Sequence, residues 1–347
     1  MHYRTLGRTG VKVSTHCLGA MMFGGWGNPD PDDGVRIIHR ALDAGINFID
    51  TADVYSRGQS EEIVGRALRG RRDDVVLATK VYGEMGEGLN ERGTSRLWIM
   101  REVEASLRRL GTDRIDLYQL HRPDLDTDLE DTLEALTDLV HQGKVRYAGT
   151  SCYPAWQLAR AQELAGRRGL VRFACEQAPY SIFTRHIEWD VLEVARRYSM
   201  GVIVWSPLAG GWLTGKYRRA EQPPKDSRMV RSGERQGRVA DRFDLSRPEA
   251  QRKLDLAEEL RPIADKAGVS LMHMAIAFTL AHRSVTSAII GPRTMDQLED
   301  LVDGADVRLD EATLDAIDEV VAPGTVVDDA DRGWDPPWME PENRRRA

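Results

Sequence analysis

Four residues have the types needed for shared proton-transfer chemistry: Asp50, Tyr55, Lys80 and His121. Three of them close apolar runs: Asn47-Phe48-Ile49-Asp50, Val75-Val76-Leu77-Ala78-Thr79-Lys80 and Ile115-Asp116-Leu117-Tyr118-Gln119-Leu120-His121. Tyr55 lies five residues past the end of the first run. A free tyrosine, with a pKa of about 10, is a poor acid at neutral pH. A neighbouring ammonium would stabilise the phenolate and lower that pKa. A carboxylate would keep the ammonium charged and in place, and an imidazole would orient a carbonyl oxygen by hydrogen bonding. Taken singly, each residue has an ordinary explanation: a surface lysine, a packing tyrosine, a turn-capping aspartate, a loop histidine. Convergence on one face is what would give them a joint chemistry.

The elements that must position them alternate. Strand-like runs fall at 17–22, 47–51, 75–81, 115–121, 145–151, 173–178, 202–206 and 286–290. Helical patterns fall at 32–44, 60–69, 94–110, 128–142, 154–166, 187–200, 248–267 and 294–303. Val103, Leu107 and Leu110 show the spacing of an apolar helix face. Thr127 with Glu130 reads as a capping box. Gly45, Gly70, Gly111, Gly143 and Gly201 read as helix C-caps. Strands apolar on both faces suit a parallel sheet covered by helices. Eight of them in βα order predict a closed (β/α)₈ TIM barrel, an α/β fold, with the chemistry at the C-terminal ends of the strands.

The predicted organisation is one domain over 1–347, with its core at about 15–321. A hairpin at 3–14 would plug the barrel, and a long loop at 212–247 follows the seventh strand. Residues 322–347 form an irregular tail with Trp334 and Trp338. The rival is an open doubly wound sheet, which would put Gly-x-Gly-x-x-Gly after the first strand. Gly24-Gly25-Trp26-Gly27-Asn28-Pro29 lacks that pattern and opens no helix.

Composition narrows the class. A net charge of −7 over 347 residues argues against nucleic acid or an anionic membrane as partner. No 18-residue apolar run is present, and Met1-His2-Tyr3-Arg4 begins no signal-peptide core. Cys17, Cys152 and Cys175 are an odd, sparse set that suits a reducing compartment, so a soluble cytoplasmic protein is expected. Histidines without His-x-His or His-Glu-x-x-His give no metal site. Gly210-Gly211-Trp212-Leu213-Thr214-Gly215-Lys216 nearly spells a P-loop, but Tyr217 stands where Mg²⁺ needs Ser or Thr. The segment Ser206 to Lys216 still offers backbone N–H groups, small residues and a lysine after a strand, which suits a pyrophosphate. Met21, Met22, Trp26, Tyr82 and Trp98 are candidates to line a pocket. Lys225, Arg228, Arg231 and Arg235 give the long loop a basic character suited to clamping a cofactor or meeting a charged substrate.

Over residues 3–321 the chain resembles the aldo-keto reductases, in bacterial branches of which some are related to potassium-channel β-subunits. The resemblance rests on Tyr3-Arg4-Thr5-Leu6-Gly7, on Gly45 through Tyr55, on Lys80 and on Arg114 through His121. It continues in Gly143-Lys144-Val145-Arg146-Tyr147-Ala148-Gly149-Thr150-Ser151, Ser206-Pro207-Leu208-Ala209-Gly210-Gly211 and Gly291-Pro292-Arg293-Thr294. It implies the same barrel and NADPH (NADP⁺), less often NADH, without metal. Tyr55 would protonate a carbonyl oxygen, Lys80 and Asp50 would tune it, and His121 would hold the substrate with Trp26 and Tyr82. Trp205 would stack on nicotinamide, and Ser151 and Gln177 would bind its carboxamide. Ser206, Pro207, Leu208, Gly210 and Lys216 would hold phosphates, while Gly291, Arg293 and Gln297 would hold the adenosine end. Gly19, Ala20, Met21, Asp50 and Cys152 would also lie along the cofactor. Two departures stand out: Cys152 replaces the family's usual Asn, and Leu301 replaces an Asn near the adenine. The implied partner is a small-molecule carbonyl compound, for a monomer or homo-oligomer. Two alternatives remain open: a cofactor-binding regulatory module like the channel β-subunits, and a reductase of nucleotide-linked keto or enoyl sugars.

Overall fold

The computed structural model describes residues 1–345 except Ala220, Asp226 and 234–237. A two-stranded antiparallel hairpin comes first, β1 (Tyr3–Thr5) and β2 (Lys12–Ser14). Eight parallel strands then close a barrel: β3 (His16–Gly19), β4 (Phe48–Asp50), β5 (Val76–Val81), β6 (Ile115–Leu120), β7 (Val145–Ser151), β8 (Cys175–Pro179), β9 (Gly201–Trp205) and β10 (Ser287–Ile290). The ring closes where β10 pairs with β3. Helices α1 (Pro31–Asp43), α2 (Gln59–Ala67), α3 (Arg96–Leu110), α4 (Leu129–His141), α5 (Ala155–Arg168) and α6 (Val191–Arg197) connect successive strands. Past β9 come the short α7 (Arg228–Gly233) and α8 (Arg238–Asp241), then α9 (Pro248–Lys266) and α10 (Leu271–Ala281). Past β10 come α11 (Met295–Asp303), α12 (Glu311–Val320) and α13 (Pro341–Arg344). No single helix among the described residues is long and apolar enough to cross a membrane.

Strand alternation sorts the barrel interior into two layers. Cys17, Phe48, Ala78, Leu117, Cys175 and Ile203 form an apolar lower cluster, sealed by Leu6 and Val13 of the hairpin segment. Two residues further along their strands stand Asp50, Lys80, Gln119 and Gln177, a polar layer above it. The hairpin seats tightly on the floor. Gly7 has φ +52, and a Cβ there would lie 2.6 Å from both Gly201 N and Ser199 O.

Several local expectations need correcting. The N-cap of α4 is Asp128, whose carboxylate accepts from Glu130 N, while the Thr127 hydroxyl donates to Asp124. Gly45, Gly70, Gly111 and Gly143 do follow helices with positive φ, but Gly201 opens β9, and the left-handed residue before it is Ser199. The first barrel strand ends at Gly19. Helices α10 and α12 were absent from the sequence pattern. The α10 segment is almost wholly buried, so it shows no polar face to give a period.

Candidate active site

The polar layer converges on one ammonium. Lys80, fully buried, donates from Nζ to Asp50 Oδ2 (2.5 Å), to the Thr51 carbonyl (2.8 Å) and to Tyr55 Oη (3.2 Å). These three bonds use its three protons. Asp50 Oδ1 accepts from Gln119 Nε2 (3.0 Å) and Gln177 Nε2 (2.8 Å). Asp53 N donates to the Lys80 carbonyl (3.2 Å) and Tyr55 N to the Ala52 carbonyl (3.3 Å), which holds the segment past β4 against Lys80; the chain then turns through Tyr55–Gly58, with Ser56 and Arg57 at φ 50 and 54. His121, just past β6, meets the Tyr55 ring edge-on with centroids 5.7 Å apart. Trp26 lies 6.0 Å from the same ring. The four residues flagged by type therefore form one contiguous group at the C-terminal ends of adjacent strands.

The electrostatics overturn one expectation. Burial pushes the Tyr55 hydroxyl above its ordinary value of 10.0, and Asp50 adds to this; Lys80 pulls the other way but does not win. The resting site therefore holds a neutral phenol rather than a pre-acidified one. Burial opposes the charge on Lys80, yet Asp50 and Tyr55 outweigh it and hold its pKa up. Burial, with help from Arg122 and Lys80, drives His121 well below 6.5, so its imidazole is neutral at pH 7. Neutral phenol, neutral imidazole and charged ammonium together make a proton donor, a polar anchor and a stabiliser for the anion that proton loss creates.

The residues assigned to a dinucleotide lie around the same mouth. Ser151 ends β7, and its hydroxyl donates to Cys152 Sγ at 3.7 Å; Cys152 has φ 60. Gln177, expected at the carboxamide, spends its amide protons on Asp50 and on Gln119 Oε1 (3.1 Å). Trp205 ends β9. Past it, Ser206, Ala209, Gly210, Gly211 and Gly215 all have positive φ, a run of turns that brings backbone close to any ligand. A Cβ at Gly211 would meet Lys216 Nζ at 3.4 Å, so that ammonium lies against the turn. This pairing of bare backbone and cation fits phosphates. Pro207 is buried and Leu208 half-buried in the same turn. Arg293 precedes α11, and its N–H donates to Gln297 Oε1 at 2.9 Å. Gly291 is exposed beside it. Ala20 N donates to the Asp50 carbonyl at 2.8 Å, which holds Gly19, Ala20 and Met21 beside the acid. Leu301 is buried in the core.

Tyr82 is half-buried past β5, near the charges of Asp124, Arg92 and Arg122. Trp98 is misplaced by the sequence reading: it sits on α3 with its side chain buried in the core. A cavity of about 340 Å³ opens beside the site between the loops after β6 and β7, lined by Asp124, Asp128, Tyr153 and Trp156, and does not include the tetrad. Arg235 lies outside the described residues. Gln119 was missed, although a lone amide in the apolar run of β6, two residues before His121, was a readable signal. Arg242 and Arg261 were also missed. They approach Gly210 and Gly215 from distant sequence, which no local pattern announces.

A parallel eight-stranded barrel thus carries at its mouth an acid–lysine–tyrosine–histidine group equipped to donate a proton and hold the anion left behind. The profile of the Aldo/keto reductase family matches residues 17–322, and the chain belongs to that family. It is 39% identical to the "Uncharacterized oxidoreductase YrpG" of Bacillus subtilis (strain 168), covering 92% of this chain and 96% of that protein. It is 37% identical to the "Probable voltage-gated potassium channel subunit beta" of Arabidopsis thaliana, covering 92% and 97%. It is 34% identical to the "Versiconal hemiacetal acetate reductase" of Aspergillus parasiticus, covering 94% and 98%.

Proposed function

We propose that the chain is an NADPH-dependent reductase of aldehydes or ketones. The observation that carries this reading is the Lys80 ammonium bonded at once to Asp50 and to the Tyr55 hydroxyl. Bound NADPH would supply a hydride to the carbonyl carbon. Tyr55 gives its proton to the carbonyl oxygen as that oxygen becomes an alkoxide, a base strong enough to take it from a phenol. Lys80 stabilises the phenolate left behind, and Asp50 keeps Lys80 charged. His121, neutral, donates a hydrogen bond to the same oxygen and fixes its direction. Trp205 offers a π face to the nicotinamide. Ser206, Pro207, Leu208, Gly210 and Lys216 hold the phosphates, with Arg293 and Gln297 at the adenosine end. Ser151 and Gln177 take the carboxamide, with Cys152 beside them. A cytoplasmic setting fits three free, buried cysteines.

The test follows nicotinamide absorbance with a panel of aldehydes and ketones, using NADPH and NADH in turn. Reduction of at least one carbonyl with NADPH is expected, and Tyr55→Phe should abolish it while NADPH still binds. Near-normal turnover by Tyr55→Phe would overturn the assignment. A second reading, a cofactor-binding subunit of a membrane complex, is favoured by the similarity to proteins named as potassium channel subunits. It predicts co-purification with a membrane protein and no reduction anywhere in the panel.

A further inference from the structure

Chain ends usually fray unless something ties them down, and here the C-terminal segment is tied across the mouth. Val326 forms a bridge with Thr184, Arg185 N donates to the Thr325 carbonyl (2.7 Å), and Val327 N donates to the Phe183 carbonyl (2.9 Å). Beyond this point the anchor is ionic. Lys253 of α9, fully buried, lies 2.7 Å from Asp328 Oδ2 and 2.7 Å from Asp331 Oδ2. Asp331 also pairs with Arg242 Nε. Arg247 stands 3.9 Å from Asp328. Burial opposes ionisation of Asp328, but Lys253 overcomes it and keeps that carboxyl low. Two aspartates and a lysine held this deep cannot separate without stranding a charge.

The node faces the cofactor side in two directions. Arg242, held by Asp331, places Nη2 3.7 Å from where a Cβ of Gly210 would be. Lys253 Nζ lies 5.6 Å from the centre of the Trp212 ring, which stacks on Phe243 with centroids 6.1 Å apart. Two residues past Asp331, Gly333 lies on the mouth itself. A Cβ there would be 2.7 Å from Trp205 Cζ2, 3.0 Å from Cys152 Sγ and 3.2 Å from Pro179 Cγ, and its φ is +86. Further on, Trp334 and Trp338 meet at 5.5 Å and Trp338 meets Trp156 of α5 at 6.2 Å.

We propose that Lys253 is a positioning residue for the cofactor site: through Asp328 and Asp331 it clasps the C-terminal segment so that Gly333 backs Trp205 and Cys152 while Arg242 faces the phosphate turn. This rests on the NADPH reading above. Lys253 touches no reacting atom. Its effect passes through the tail to the ring at the end of β9 and through Arg242 to Gly210.

The test uses the full chain as Lys253→Met and, separately, Asp331→Asn. Two quantities are measured: NADPH affinity, by nicotinamide fluorescence, and the rate at which each cysteine reacts with a soluble aromatic disulfide, assigned by mass spectrometry. Cys17 and Cys175 lie inside the barrel, whereas Cys152 lies under Gly333. Opening the clasp should speed Cys152 modification about tenfold, leaving Cys17 and Cys175 protected. NADPH binding should weaken about tenfold in the same variants. Unchanged Cys152 reactivity in a folded variant overturns the proposal. Simultaneous exposure of all three thiols also overturns it, because that is general loosening of the barrel. If Lys253→Met does not fold, Asp331→Asn decides, since it leaves Lys253 paired with Asp328. Failure of the wild-type chain to bind NADPH would sink the functional reading instead, and the thiol rates would still report on the clasp.

Discussion

The two ends of the barrel solve opposite problems with the same strands. At the floor, Leu6 and Val13 close over Phe48, Leu117 and Ile203, and the fit is backbone against backbone, with Gly7 on Gly201 and Ser199. At the mouth, Asp50 and Lys80 bury opposite charges, and Ser56, Arg57, Cys152, Ser206 and Ala209 all take positive φ without being glycine. Such conformations cost of the order of 1–3 kcal/mol each and persist only where surrounding structure enforces them. On the floor side only Ser199, among the described non-glycine residues, does the same. Both ends also use a glycine where no side chain fits. Gly7 rests on main chain, whereas Gly333 rests on the side chains of Trp205, Cys152 and Pro179. The difference teaches that the floor is built for stability, while the mouth spends stability on a fixed arrangement of polar groups.

That division can be broken experimentally. The largest effect is expected from Tyr55→Phe, which should cut carbonyl turnover by about 10²–10⁴-fold, the usual worth of a general acid. Its unfolding midpoint should hardly change, since one hydroxyl bond is lost; a collapse in stability would show that the mouth also carries the fold. Lys80→Met should lose turnover and also leave Asp50 buried without its cation. A destabilisation of about 3–5 kcal/mol in urea unfolding is expected, and a stable Lys80→Met chain would deny that the mouth stores cost. Gly7→Ala tests the floor. Positive φ and overlap with main-chain atoms should cost about 1–3 kcal/mol in stability, with turnover of the folded enzyme unchanged. A changed turnover would couple the two ends.

A further test concerns Glu176, on the outward face of β8 beneath the Ser151–Tyr153 turn, where it accepts from Thr150 and from Tyr153 N. Burial raises its carboxyl from 4.5 to about 8. Between those values the folded chain holds a proton that the unfolded chain has released. Its contribution to stability is therefore full below pH 4.5 and is lost as pH rises towards 8, at no more than about 1.4 kcal/mol per pH unit. Glu176→Gln keeps an acceptor for Tyr153 N and can turn its amide N–H onto the Thr150 hydroxyl in place of the bond Thr150 donates to Glu176, so it should flatten this slope in thermal unfolding across that window. An unaltered slope would assign the dependence to another group.

Much of this was legible because barrel strands announce themselves locally. Apolar runs ending in Asp50, Lys80 and His121 fixed both the strand positions and the end at which chemistry collects. Other readings failed where a local pattern had two solutions. Thr127 and Asp128 are both good caps, and Asp124 takes the Thr127 hydroxyl, leaving Asp128 to cap α4. Trp98 fitted a pocket by type, but it faces the core from α3. Helix α10 was missed because burial on all sides erased its period.

The sequence by itself determined the βα succession, the apolar strands and the four reactive types, since each depends on neighbours only a few residues away. Tertiary structure alone decided that Gln177 would serve Asp50 from 127 residues away, that the tail would lie over Trp205, and that burial would outweigh Lys80 at the Tyr55 hydroxyl. Desolvation and long-range charge pairing depend on what is packed around a group, and that is set only when the barrel closes.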